Sequence, residues 1–221
     1  MAIVRVQSTH ASSSTAATSR ALAYVSNVTA GNLLIVAIYF ESATATISSV
    51  VSTLSGALTA IGTLTRSGNN TVAQLFYLKN CTGGADTITV TYSASVINGI
   101  AIFECSGADT AAPLRGNASA AGGTTNPSSG NLNVAPVSGD YLFGQCTANA
   151  APTAGSGYTM EESNFGWNDT SQAEDKTAAS ETAVLFTNAS TSTWVVAGAA
   201  FIPSGAAPPV AKTLCLLGVG S

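Results

Sequence analysis

The sequence predicts an all-β fold, a two-sheet antiparallel β-sandwich of jelly-roll-like form, on three observations. First, the stretch Asn32-Leu-Leu-Ile-Val-Ala-Ile-Tyr-Phe40 is apolar at every position from Leu33 to Phe40. It is rich in β-branched and aromatic residues, and Gly31-Asn32 punctuates its start. It is too short to cross a bilayer as a helix, which takes about 20 residues. As a strand it puts Leu33, Ile35, Ala37 and Tyr39 on one side and Leu34, Val36, Ile38 and Phe40 on the other, so both faces need cover. A helix is the competing reading of so short a run. Second, further strand-like runs follow between turn signals. Third, almost nothing reads as helix: the best candidate, Gln172–Ala179, is short and polar.

The remaining elements follow in order. Ile3-Val-Arg-Val-Gln7 alternates like a half-buried strand, Ser8–Ser19 reads as a loop or weak strand, and Arg20–Val25 resumes the pattern. Thr46–Leu54 and Leu58–Arg66 are strand candidates. Gly68-Asn69-Asn70 is a hairpin signal leading into Thr71–Leu78. Thr87–Tyr92 predicts Ile88, Val90 and Tyr92 inward and the threonines outward. Ile97–Cys105 is again mostly apolar. Residues 107–139 are rich in Gly, Ala, Ser, Thr, Asn and Pro, and a structureless loop of that length is uncommon. Short strands are therefore expected at Ala118–Ala121 and Asn131–Val137, with a split into two domains as the alternative.

The second half echoes the first. Gly31-Asn32 before Leu33-Leu-Ile-Val resembles Gly139-Asp140 before Tyr141-Leu-Phe-Gly, and Ile100–Gly107 resembles Ala199–Gly205. Thr71–Leu78 is matched with Thr182–Phe186. The echo implies two similar strand sets facing each other. Residues 1–205 are expected to form the sandwich domain, and 206–221 a Pro-rich linker with an apolar tail. In that tail Val210, Leu214, Leu216, Leu217 and Val219 are candidate subunit-interface residues, since an apolar tail can add as a strand to a neighbouring subunit.

Composition narrows the function classes. Charged residues make up 8% of the chain, against about 25% in ordinary globular proteins, and the net charge is −4. The seven Lys and Arg are scattered, so no nucleic-acid partner is expected. No run qualifies as a membrane span, and residues 1–9 carry no apolar h-region of a signal peptide. The four cysteines (Cys81, Cys105, Cys146 and Cys215) show no metal spacing and read as buried thiols; a Cys105–Cys146 disulfide is the alternative.

No catalytic motif stands out, and neither enzyme activity nor a cofactor or metal is expected. The single histidine, His10, lacks a G-x-S-x-G elbow. Glu41 and Glu104 each end an apolar run and are the only carboxylate pair to weigh for glycoside hydrolysis; solvent-facing strand ends are the plainer reading. Glu161, Glu162, Asp169, Glu174 and Asp175 cluster in what reads as a loop region, whose oxygens suit Ca²⁺ or simply water. Tyr158, Phe165, Trp167 and Trp194 could supply a sugar-stacking platform, with Tyr158 and Trp167 the candidate glycan-binding residues; core burial is the default for such side chains.

Several phrases carry a resemblance. They are Ala30-Gly-Asn-Leu-Leu-Ile-Val-Ala-Ile-Tyr39, Ile47-Ser-Ser-Val50, Leu75-Phe-Tyr-Leu-Lys-Asn80, Thr87-Ile-Thr-Val-Thr-Tyr92 and Ile102-Phe-Glu-Cys-Ser-Gly-Ala-Asp-Thr-Ala-Ala-Pro-Leu114. Together they resemble jelly-roll-like β-sandwich domains of tailed-phage structural proteins and bacterial surface proteins, over residues 1–205. The resemblance implies a building or adhesion module and transfers no catalytic residue. The expectation is a phage virion protein on the particle exterior, as capsid decoration or a tail or fibre component. It would be assembled in the host cytoplasm, with copies of itself and other virion proteins as partners. The alternative is a carbohydrate-binding adhesion module on an extracellular surface, with a cell-surface glycan as partner.

Overall fold

The computed structural model describes residues 1–166, 170–188 and 190–205. Fourteen strands are described: β1 Val4–Ala23, β2 Leu33–Glu41, β3 Ile47–Ser52, β4 Gly56–Ala57, β5 Thr59–Arg66, β6 Thr71–Leu78 and β7 Thr87–Ser106 in the first half. β8 Leu114–Gly122, β9 Tyr141–Ala148, β10 Pro152–Ala154, β11 Thr159–Ser163, β12 Thr170–Thr177, β13 Phe186–Asn188 and β14 Trp194–Phe201 follow in the second. All pairings between them are antiparallel. The chain is an all-β sandwich of curled sheets. The jelly-roll-like winding belongs to the sequence expectation alone, because each sheet draws its strands from one half of the chain.

β2 is a central strand, buried on both sides, between β7 and β6. Its two faces divide as the alternation predicts. Leu33, Ile35, Ala37 and Tyr39 enter the core between the sheets, beside Tyr141 and Phe143 of β9 and Val195, Ala197, Ala199 and Phe201 of β14. Leu34, Val36, Ile38 and Phe40 enter a second core with Val72, Phe76, Ile88, Val90 and Tyr92. The first half of β7 supplies Ile88, Val90 and Tyr92 to that core, and its second half supplies Ile100 and Ile102. The long strand therefore bends around its own sheet, and β3, paired to its first half, helps close the cover with Val50.

The two sheets repeat one topology. The first runs β1-β7-β2-β6-β5, with β3 added along β7 and β4 beside β3; the second runs β8-β14-β9-β12-β11. In each, the first and last strands of the half are neighbours, and the second strand follows: β2 lies between β7 and β6, and β9 between β14 and β12, while β10 and β13 pair apart as a small sheet. The entry corners match bond for bond. Gly31 N–H donates to Cys81 O and Cys81 N–H to Asn32 O; Gly139 N–H donates to Ala178 O and Ala178 N–H to Asp140 O. Gly31 and Gly139 hold φ of 90° and 95°, a region where a side chain would be strained. Packed face to face, the sheets bring β1 beside β11 and β8 beside β5.

Several expectations are corrected. Gln172–Ala179 is no helix: its residues to Thr177 belong to β12, whose small Ala173 enters the core between sheets while Glu174 turns to the other face. β12, not Thr182–Phe186, is the counterpart of β6. Of the two readings of Ser8–Ser19, the strand holds: the segment lies within β1 and pairs with β7 on either side of a register break between Ser13 and Ala17. Asn131–Val137 forms no strand; Leu132 instead plugs a small outer cluster with Leu142, Ala178 and Ala200. Cys81, Cys105 and Cys146 are free thiols, so there is no Cys105–Cys146 disulfide.

Candidate functional site

The acidic residues expected in one loop lie instead on two paired strands. Glu161 and Glu162 are on β11, and Glu174 and Asp175 on β12; Asp169 lies outside the described residues. Alternation separates Glu174 from Asp175. Glu174 points to the outer face, accepts a 2.9 Å hydrogen bond from Gly155 N–H, and has its carboxyl pushed up to about 8 by burial. Asp175 points into the seam between the two sheets, and there a polar cluster forms.

Five strands contribute to this cluster. Arg5 of β1 is ion-paired with Glu161 of β11. Tyr141 of β9 donates a 2.6 Å hydrogen bond to Asp175 Oδ2. Cys105 of β7 lies behind them, its Sγ 3.8 Å from the Tyr141 hydroxyl. A cavity of about 260 Å³ opens beside them, lined by Ile3, Val4, Arg5, Tyr141, Glu161, Asp175 and Thr177. β11 carries a bulge between Met160 and Glu162, the device that re-aims Glu161. Burial raises the Glu161 carboxyl to about 7, and the neighbouring Asp175 adds to the shift while Arg5 opposes it. Asp175 is raised as well, by burial, against its bond to Tyr141. Both carboxyls line the one cavity beside a single guanidinium and interact with each other, so their titrations depend on one another. Sequence reading saw the acids but not the cluster, since Arg5 and Glu161 are far apart in the chain.

The other predicted residues do not gather. Glu104 pairs in register with Leu34, at the start of β2, whereas Glu41 closes the same strand seven residues on. At strand rise that is about 24 Å, too far for two carboxylates acting on one glycosidic bond. Glu104 is a fully buried anchor: it accepts hydrogen bonds from Gln7 Nε2, Thr29 N–H and Asn32 Nδ2. Glu41 accepts from the Tyr39 hydroxyl. His10 Nδ1 lies 2.6 Å from Glu162 Oε2, joining β1 to β11.

Of the aromatics, Phe165 is buried between the sheets and Trp194 on the opposite face of the second sheet, so the two share no platform. Tyr158 donates to Ala183 O, and Lys176 Nζ stands 5.3 Å from its ring centre. Trp167 lies outside the described residues, as do the tail positions Val210, Leu214, Leu216, Leu217 and Val219.

One further surface is built into the fold. β1 pairs only with β7 among the described residues, leaving its other edge without a partner strand. None of its twenty residues is fully buried. From Ala11 to Ser19 it reads Ala-Ser-Ser-Ser-Thr-Ala-Ala-Thr-Ser, with no charge and no proline. Natural edge strands are usually blunted by those devices.

The sequence matches no protein-family model and no curated protein, and no solved structure matches the fold.

Proposed function

We propose that this chain is a structural protein of a phage virion: an exterior β-sandwich module, as capsid decoration or part of a tail or fibre, held by contacts between subunits. The observation that carries the reading is the open edge of β1, a twenty-residue strand whose stretch from Ala11 to Ser19 carries no charge. Such an edge presents unpaired N–H and C=O groups to an added strand from another chain. A free monomer would be exposed to uncontrolled pairing there, whereas a subunit set in a particle keeps the edge covered. The low charge supports the same reading, since close-packed copies of a highly charged surface repel one another.

The apolar tail, Val210 to Val219, is the natural candidate for the added strand. The chain leaves the described domain at Gly205, and Ser204 O there accepts a 2.8 Å hydrogen bond from the Met1 amine, beside the start of β1. Neighbouring copies would thus present a tail and an edge close together. Contacts made only by the folded subunit stabilise it by mass action, so crowded subunits favour the assembled form. The test is the native mass of the full chain and of a chain ended at Gly205. The reading expects a large species for the first and a smaller one for the second. A full chain that stays monomeric at high concentration would overturn it.

A further inference from the structure

The repeated topology sets up a direct comparison between the two places where one sheet's first strand meets the other sheet. Arg5 and Leu114 hold equivalent positions, each opposite the end of the last strand of its half: Arg5 pairs with Cys105 and Leu114 with Phe201. Cys105 and Phe201 are therefore equivalent, and so are their β-partners Leu33 and Tyr141. Tyr77, opposite Ile35, answers to Asp175, opposite Phe143. Ile61, opposite Leu75, answers to the bulged Glu161–Glu162, opposite Ala173. One seam is thus built from Leu114, Phe201, Leu33, Tyr77 and Ile61, all packed in the core between sheets. The other carries Arg5, Cys105, Tyr141, Asp175 and Glu161 at the same places.

Stability alone does not call for this replacement. A buried ionic cluster is at best level with well-packed apolar residues of similar size, and the sister seam shows that apolar residues fit. We propose that the Arg5–Glu161–Asp175–Tyr141 cluster is a proton-operated latch that fastens the start of β1 to the second sheet in acid and slackens above neutrality. The inference rests on the seam and not on the virion reading.

The charges balance as follows. With one proton bound to Glu161 or Asp175, the pair carries one negative charge, which Arg5 neutralises. When that proton passes to solvent through the open cavity, two carboxylates face one guanidinium. Among the described residues nothing else facing them supplies a cation: Tyr141 already donates to Asp175, and Cys105 is a buried thiol pushed up to about 12. Glu174 and Lys176 project from the other face of β12, where Lys176 is paired with Glu181. His10 faces Glu162 farther along β1 and β11. The excess negative charge is relieved by water entering the seam and by β1 withdrawing from β11. The raised Glu161 carboxyl, at about 7, places this change near neutrality.

The experiment is hydrogen exchange on the full chain at pH 6 and pH 8, corrected for intrinsic rates and read on peptides covering Ile3–Gln7. It is run in a His10→Gln background, so that the carboxyl pair is the titrating contact between the two strands. Protection in that segment falls several-fold, and by at most about tenfold, between the two pH values. Adding Glu161→Gln, which cannot lose a proton, abolishes the fall; Asp175→Asn does the same and serves if the first variant folds poorly. An equal fall in the doubly substituted proteins, or no fall in His10→Gln alone, overturns the latch.

Discussion

The two seams occupy equivalent places in two copies of one topology, yet one is oily and the other ionic. At the β8 seam, Tyr77 and Phe201 meet edge to face, 6.1 Å apart, beside Leu33, Ile61 and Leu114. At the β1 seam the same positions carry Arg5, Glu161, Asp175 and Tyr141 around an open cavity. The fold therefore tolerates both solutions, and topology does not dictate the chemistry. What the ionic seam adds is responsiveness: an apolar contact is indifferent to pH, whereas a carboxyl pair with one cation is not. The entry corners differ in a similar way. In the first half the buried acid is Glu104 on the last strand, holding Asn32. In the second it is Asp140 on the corner, held by Arg115 from the first strand through Nη2 at 3.1 Å and through Nε.

The largest expected effect breaks the second corner. Arg115→Ala leaves Asp140 buried without its cation and costs roughly 3–5 kcal/mol in denaturant unfolding. A comparable loss follows from the core that both halves share. Phe103 and Phe143 meet edge to face at 4.8 Å, and Phe143→Ala costs about 3–5 kcal/mol. The double substitution with Phe103→Ala should cost less than the sum, because the two rings share one contact. Additive losses would mean that the sheets do not stabilise each other there.

Smaller effects sharpen the comparison. Gly31→Ala and Gly139→Ala, at positive φ in equivalent corners, each cost of order 1–3 kcal/mol. Similar values support the repeat, and a large difference argues against it. On pH, Glu161, Asp175 and Glu174 are all raised, so the folded chain holds protons that the unfolded chain has released. Their contribution is fully present below the ordinary carboxylate range and is lost as pH rises through about 7 for Glu161 and about 8 for Glu174. Stability to urea should therefore fall from pH 5 to pH 9. Glu174→Gln should flatten the upper part of that slope and Glu161→Gln the middle.

Much of the fold was legible because alternation is a local signal. Leu33–Phe40 divides its faces between two cores as its pattern requires, and Ile88, Val90 and Tyr92 point inward while their threonine neighbours do not. The Gly-Asn and Gly-Asp corners announced the repeat. β12 was illegible for a physical reason: Gln172, Glu174, Asp175 and Lys176 carry polar groups toward both faces, so no apolar period marks the strand. The length of β1 was hidden for the opposite reason, since Ser, Thr and Ala show no contrast between faces and only pairing with β7 defines the strand. The polar seam was invisible because it is assembled from five strands, and the bulge that aims Glu161 has no sequence signature.

The account of function turns on the open edge of β1, and lysines placed there test it most directly. Ser14 and Ala16 are exposed and lie in its uncharged stretch. Sedimentation of the full chain and of the Ser14→Lys, Ala16→Lys variant at matched concentrations measures whether that edge joins subunits. The account predicts a large species for the unaltered chain and mostly monomer for the variant, with unchanged thermal unfolding of the domain. The same assembled mass in both would contradict it.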